Sequence, residues 1–302
     1  EIELHTKCDT RWVPLFQPVA EVRALKPTED FILVTGHLDV WDEGASDNGT
    51  GIALMIELAK YFQRNRDLLC KNIIFPFYDG HEILEDTGSS CLLEECWDQF
   101  RDHGVLELNI DNPGLSGATF YRTFASYELA DAIEEIHKRL EFSTLPVQPI
   151  TRDSDRSYMA VGLPGFLTIE QGEDSHEGFP FYWWEHTRAD TLEKLDSAVL
   201  IRSSNLFAEY IRYFAGENRF PYHMAQPATV LCETLQEVVG ACGKKIKRID
   251  FEPIIKSAVQ FQAFCAELDQ NVDDMQAFNR QRMLLQAMGP VLYTASGRYQ
   301  QD

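Results

Sequence analysis

Several things are scarce in this chain, and each scarcity removes a class of function. No apolar run reaches about 18 residues, so no membrane span is expected. Basic residues are few: 27 Lys and Arg stand against 48 Asp and Glu, a net charge of −21. That balance argues against nucleic acid and anionic membrane surfaces as partners. Cysteines number seven, an odd count, and no C-x-x-C occurs. Neither a disulfide framework nor a Cys₄ zinc site is suggested, and buried free thiols are expected instead. Glu1 opens directly into a polar, strand-like segment with no signal peptide. The single N-x-[ST] triplet, Asn48-Gly49-Thr50, lies where a glycan would be awkward, which leans toward a cytoplasmic protein. Internal repeats and low-complexity tracts are absent.

What the sequence does have is a pattern of strands alternating with helices. EIELHTKC and VAEVRAL read as two strands of period-two alternation. FILVTGHLDV, NIIFPFYDGHE and VLELNIDNPG read as buried strands, each ending in polar groups. GIALMIELAKYFQR is an amphipathic helix. Tyr127–Leu140 and a stretch from about Asp196 to Phe214 read as helices. TRDSDRSYMAVGLPGFLTIEQG reads as a short helix, a turn and a strand. The expected fold is α/β: a mixed, largely parallel central sheet with helices on both faces. Near Gly216 the composition shifts, and three helical patterns follow: about 228–241, 252–268 and 272–288. The predicted organisation is a domain over 1–215 and a helical domain over 216–302.

The candidate site lies in GHLDVWDEGASDNGTG, residues 36–51. His37 and Asp39 share one face at a strand end, because side chains two apart point the same way. A Gly-rich loop then delivers Asp47 just before a helix starting near Asn48. Imidazole and carboxylates are a ligand set for Zn²⁺ or a similar dication, and Asp47 has two oxygens with which to bridge two ions. Asp39 is placed to orient His37 from behind. A plainer reading stands beside this one: His37 as a hydrogen-bonded strand-end residue and Asp47 as a helix cap. Ligands of such sheets gather at the carboxyl ends of the strands. His37, Glu82 and Asp111 all sit at such ends, which favours one shared site.

These motifs resemble those of the co-catalytic zinc exopeptidases, the family of bacterial aminopeptidases and glutamate carboxypeptidase II. HLDVWDEGASDNGTG resembles the family's opening signature, LNIDNPG a later ligand strand, SDRSYMAVGLPG a substrate-side loop, and EHTRADTLEKLD the final ligand segment. The resemblance covers roughly residues 20 to 215. It implies that His37, Asp47, Glu82, Asp111 and His186 hold two Zn²⁺ ions. It also implies hydrolysis of a peptide or related amide C–N bond by a water shared between the ions. Asp190 is then placed to orient His186. Arg152 and Arg156 are candidates to clamp a substrate carboxylate. Tyr182, with Trp183 and Trp184, is a candidate wall of the substrate pocket or a core residue. FPYHMAQPATVLCETLQEVV and NRQRMLLQAMGPVLYTASGRYQ resemble the helical dimerisation domain of glutamate carboxypeptidase II and the transferrin receptor, which implies a homodimer.

Two departures stand out. Family members with such a tail usually carry an apical domain before the metal strand, but only 36 residues precede His37. And where the family has a Glu-Glu pair, base then ligand, this chain has His81-Glu82, with one extra residue before Gly88-Ser89. Four readings are open at His81: it is the base; it is a ligand of a rearranged cluster; hydrolysis has been lost, leaving a receptor or scaffold; or the register is off and Glu82 or Glu85 is the base. A catalytic pair of His81 and Asp39, or a family member with altered chemistry on a small amide, follows from the first. A non-catalytic homologue follows from the third.

Overall fold

The computed structural model describes residues 2–140, 143–150, 157–172, 182–218, 222–242, 249–271 and 275–294. Seven strands form one sheet: β1 (Val19–Val22), β2 (Phe31–His37), β3 (Asn72–Tyr78), β4 (Gly104–Asn109), β5 (Phe120–Ala125), β6 (Gln148–Pro149) and β7 (Gly165–Gln171). Their spatial order is β1-β3-β2-β4-β7-β5-β6. The centre, β3-β2-β4-β7, is parallel, while β1 and β5 run antiparallel to their neighbours β3 and β7. The helices are α1 (Thr50–Arg64), α2 (His81–Leu84), α3 (Thr87–Glu95), α4 (Trp97–His103), α5 (Ala130–Lys138), α6 (Ser197–Gly216), α7 (Ala225–Cys242), α8 (Glu252–Leu268) and α9 (Met275–Leu292). The mixed, mostly parallel α/β architecture with C-terminal helices is as the sequence predicts. No helix among the described residues is long and apolar enough to cross a membrane.

The unbroken apolar run of β2 follows from its central place. Ile32 and Val34 enter one core with Leu54, Met55 and Leu58 of α1 and Phe207 and Tyr210 of α6. Phe31 and Leu33 face the other way, onto Leu93, Phe100, Tyr158 and Leu163. Both faces are covered, so every position of the strand is buried. Burial of each large side chain stabilises by roughly 1.5–3 kcal/mol. The C-terminal helices share the first of these cores: Ala228, Cys265, Leu268, Leu285 and Met288 belong to it. Close approach of α9 to the 159–162 turn depends on two glycines. A Cβ at Gly289 would lie 2.2 Å from the Met159 carbonyl, and one at Gly162, where φ is +91°, would lie 2.6 Å from the Gln286 nitrogen. Asp269, just past α8, caps α7: its carboxylate accepts from the Met224 and Ala225 N–H groups at 2.8 Å each.

Three sequence expectations need correction. EIELHTKC is not a strand; residues 2–18 contain none, and Ile2 and Leu4 are 97% and 82% exposed. Alternation stabilises a strand only beside a partner, and here β1 is the edge, paired on one side with β3. Second, β5 was not anticipated. Its FYRTFA alternates as a half-buried strand should, but its inward row includes Thr123, whose hydroxyl pairs with that of Thr168 at 2.9 Å. Third, the cysteines are all free, yet only Cys232 and Cys265 are buried; Cys8 and Cys91 are exposed.

Candidate metal centre

β2 delivers His37 to the carboxyl edge of the sheet with its side chain 2% exposed. Nδ1 lies 3.0 Å from the carbonyl oxygen of Asp39, which fixes the proton on that nitrogen and leaves Nε2 as a lone-pair donor. Nε2 faces two carboxylates: Asp47 Oδ1 at 3.0 Å and Asp111 Oδ1 at 3.4 Å. The other oxygen of Asp47, Oδ2, lies 2.9 Å from His186 Nε2, and Glu82 Oε2 is 3.4 Å from the same nitrogen. The cluster is therefore two half-sites that share Asp47. His37 and Asp111 flank one oxygen; His186 and Glu82 flank the other. All five side chains singled out in the sequence come together. Asp111 lies two residues past the end of β4, and Glu82 stands in the first turn of α2, reached through Gly80 at φ +90°.

Buried polar contacts hold the loops. The Asp190 carboxylate accepts from Ser46 N (2.9 Å), Ser46 Oγ (2.6 Å) and Asp47 N (3.0 Å). Its work is thus to fix the Asp47 loop, where the sequence reading gave it His186. Asn48 Nδ2 donates to the Ile110 carbonyl at 2.9 Å, and its Oδ1 accepts from Asn112 N at 3.3 Å, tying that loop to the end of β4. The Asp47–Asn48 peptide bond is cis. Asp39 supports His37 through its carbonyl, while its carboxylate accepts from the His81 and Glu82 N–H groups at 3.2 and 2.9 Å. His186 adopts φ +58° and Asn112 φ +51°, a left-handed backbone that costs non-glycine residues energy and is kept where surrounding structure imposes it.

The electrostatics match this crowding. Burial works against a charged His37 ring, but Asp111, Asp39 and Asp47 outweigh it and raise its pKa. Burial likewise opposes ionisation of Asp47, yet hydrogen bonds from His186 and His37 hold its pKa low. Glu82 is pushed up by burial and by Asp47. The histidines stand among the carboxylates as a dication would. One buried carboxylate oxygen of the cluster, Glu82 Oε1, has no hydrogen-bond partner. Ligand atoms of His37, Asp47 and Glu82 lie within 4.8 Å of one another. Such an N/O set, with an unpartnered carboxylate oxygen in it, suits Zn²⁺.

His81 stacks on His37, ring centroids 4.1 Å apart and planes 20° from parallel. Tyr182 is 3% exposed and packs with Leu115, Ala118, Trp184 and Val199, its ring 4.5 Å from that of Trp184. Trp183, between these two rings in sequence, is 63% exposed. Arg152 and Arg156 lie outside the described residues. Sequence reasoning passed over Glu185. Its side chain is 8% exposed, and its Oε2 has no hydrogen-bond partner. Burial, then Asp47 and Asp111, push its pKa up to about 9. The available signal was an acid set inside the aromatic run FYWWEH.

Comparison with known proteins agrees with this architecture. A protein of Schizosaccharomyces pombe named an inactive zinc metalloprotease is 25% identical over 259 residues, 77% of this chain and 32% of its own length. The zinc aminopeptidase of Bacillus subtilis superposes with a TM-score of 0.56 at 20% identity, over 65% of this chain and 49% of that one. LapA of Legionella pneumophila gives 0.55 at 18%, covering 67% and 57%. The chain thus spans about a third of the curated relative and about half of these structures. Residues 19–211, well over half of the sequence, match peptidase family M28, and the chain belongs to that family.

Proposed function

We propose that this chain carries a di-zinc hydrolase centre acting on a peptide or related amide C–N bond near one end of its substrate. The observation that carries this reading is Asp47, whose two oxygens face His37 and His186 at 3.0 and 2.9 Å. A carboxylate with a histidine at each oxygen and a further acid beside each histidine is a donor set for two dications. His37, Asp47 and Asp111 would hold one, and Asp47, Glu82 and His186 the other. Bound ions of this kind lower the pKa of a water and polarise the amide carbonyl. The chain's own groups do the rest. Asp39 sets the His37 tautomer and pins the backbone of Glu82. His81, against the His37 ring, takes the proton from the attacking water and returns it to the leaving amine. Arg152 and Arg156 are assigned to a substrate carboxylate, and Tyr182, stacked on Trp184, to backing the aromatic wall of the substrate pocket.

Zinc-loaded protein is expected to cleave aminoacyl amides or acylated dipeptides, to stop with a chelator, and to lose roughly 100-fold or more in His81→Ala. A second reading is favoured by His81 itself, which stands where the family has a carboxylate, and by the relative named inactive. In it the centre keeps its metals and binds without cleaving. No turnover by a zinc-loaded wild type, with turnover appearing in His81→Glu, would replace the first reading with the second. The division at 215/216 and pairing of two copies through the C-terminal helices belong to the same proposal. The exposed Val238, Ile254, Val259 and Phe264 of α7 and α8 support it. Sedimentation equilibrium tests it: a dimer is expected, and a monomer at high micromolar concentration removes it.

A further inference from the structure

Glu170, on β7, is a buried acid that takes no part in the cluster, at 3% exposure. Its Oε2 accepts from two successive backbone N–H groups, Gly114 at 2.9 Å and Leu115 at 2.8 Å. A carboxylate oxygen meeting two N–H donors makes a strong, charge-assisted pair of bonds. The loop it grips is the one that leaves β4 and carries Asp111. The link from Gly114 back to Asp111 is short and stiff. Gly114 holds φ +95° and Asn112 φ +51°, and between them Pro113 has its φ fixed by its ring. The carboxylate is anchored in turn. Its Oε1 accepts from the Ser203 hydroxyl of α6, whose oxygen lies 2.7 Å from the Tyr121 hydroxyl of β5. From the start of α6, the Asp196 N–H donates to the Gly114 carbonyl at 2.9 Å. Strands β5 and β7 and helix α6 thus converge on one loop, and that loop sets Asp111 Oδ1 3.4 Å from His37 Nε2. The other two acids of the cluster have separate holders. The Asp47 N–H is held by Asp190 and the Glu82 N–H by Asp39, at 3.0 and 2.9 Å.

We propose that Glu170 is the positioning residue of Asp111, and that through the 111–115 loop it sets how tightly the His37 half-site holds its ion. This inference rests on the proposed di-zinc reading and deepens it: each ligating acid has its own holder, so the two half-sites can be loosened one at a time. A ligand must stay within roughly 0.5 Å of its place to act fully. Removing one methylene from the Glu170 side chain draws its oxygens back by about 1.5 Å, well beyond that tolerance. Glu170 touches neither ion nor substrate; it acts on the metal through the backbone that carries Asp111.

The test compares the full-length wild type with Glu170→Asp, which keeps the charge and loses the reach, and Glu170→Gln, which keeps the reach and loses the charge. In Glu170→Gln the amide oxygen can accept from both N–H groups while its NH₂ donates to Ser203. Thr168→Val serves as the control for a merely structural role. It lies on the same face of β7, and its hydroxyl pairs with those of Thr123 and Tyr210 at 2.9 and 3.1 Å. Zn²⁺ loading is read by native mass spectrometry and calorimetry, Co²⁺ loading by absorption, and the stability of the metal-free chains by thermal unfolding. In Glu170→Asp one ion is expected to bind roughly 10–100-fold more weakly, with the other as in the wild type and the Co²⁺ bands of one site altered. Glu170→Gln should recover both ions, and Thr168→Val should load both while unfolding at a lower temperature. Wild-type loading of both ions by Glu170→Asp, equal weakening of both ions in it, no recovery in Glu170→Gln, or the same one-ion loss in Thr168→Val would overturn this inference alone. A wild type that takes up no metal would overturn it together with the di-zinc reading.

Discussion

Acids in two regions of this molecule are treated in opposite ways. On the flank where the C-terminal helices dock, three acids have donors. Glu128 Oε2 accepts from the Tyr293 hydroxyl at 2.5 Å, Asp30 meets Arg282 at 2.8 Å, and Asp269 caps α7. At the carboxyl edge of the sheet, Asp47, Glu82 and Asp111 crowd around two histidines, and Glu82 Oε1 has no hydrogen-bond partner. Satisfied acids fasten helices to a body; unsatisfied ones mark a place kept for something else. Asp190 and Asp39 belong to the first kind, though they stand beside the second. Their oxygens are taken up by backbone N–H groups, and their task is to hold the ligand loops.

The largest effect that would sharpen this contrast is expected from Asp47→Ala. Both half-sites lose their shared ligand, so metal content and any hydrolysis should fall by more than about 100-fold, with the helical flank intact by circular dichroism. Next comes pH at the flank. Burial raises the Glu128 pKa to about 7 from an ordinary 4.5. A carboxyl group raised on folding binds its proton more tightly in the native state, so its contribution is complete below pH 4.5 and is lost as pH rises through 7. The loss should approach about 3 kcal/mol, and Glu128→Gln should flatten the curve over that window in denaturant unfolding at stepped pH. Third, Asp39→Ala should weaken zinc binding roughly 10–100-fold, since both the His37 ring and the Glu82 backbone lose their anchor. Smallest, Arg282→Ala should lower stability by about 1.5 kcal/mol, measured by urea unfolding, and leave zinc affinity unchanged. Loss of metal in that variant would break the separation of the two regions.

Much of the site was legible because its chemistry is packed into short motifs at strand ends. The strand pattern placed His37, Glu82 and Asp111 together and the Gly-rich loop added Asp47, while His186 joined them only through the family resemblance. The roles of Asp39 and Asp190 were half legible. Adjacency marked both as supports, but which backbone groups they hold depends on loop paths that periodicity does not encode. Glu185 was missed because a single acid among aromatics looks like surface until burial is known. The fold was legible where strands are buried on both faces, as in β2, and illegible at the sheet's margins. There β5 buries polar Thr123, and residues 2–18 alternate with no strand to pair against.

The most direct measurement is the metal content of wild-type protein equilibrated with zinc, read by native mass spectrometry beside Asp47→Ala. Two zinc ions per wild-type chain and none on the variant are predicted. A wild type that stays free of metal at saturating zinc, or a variant that loads as fully as the wild type, would contradict the account.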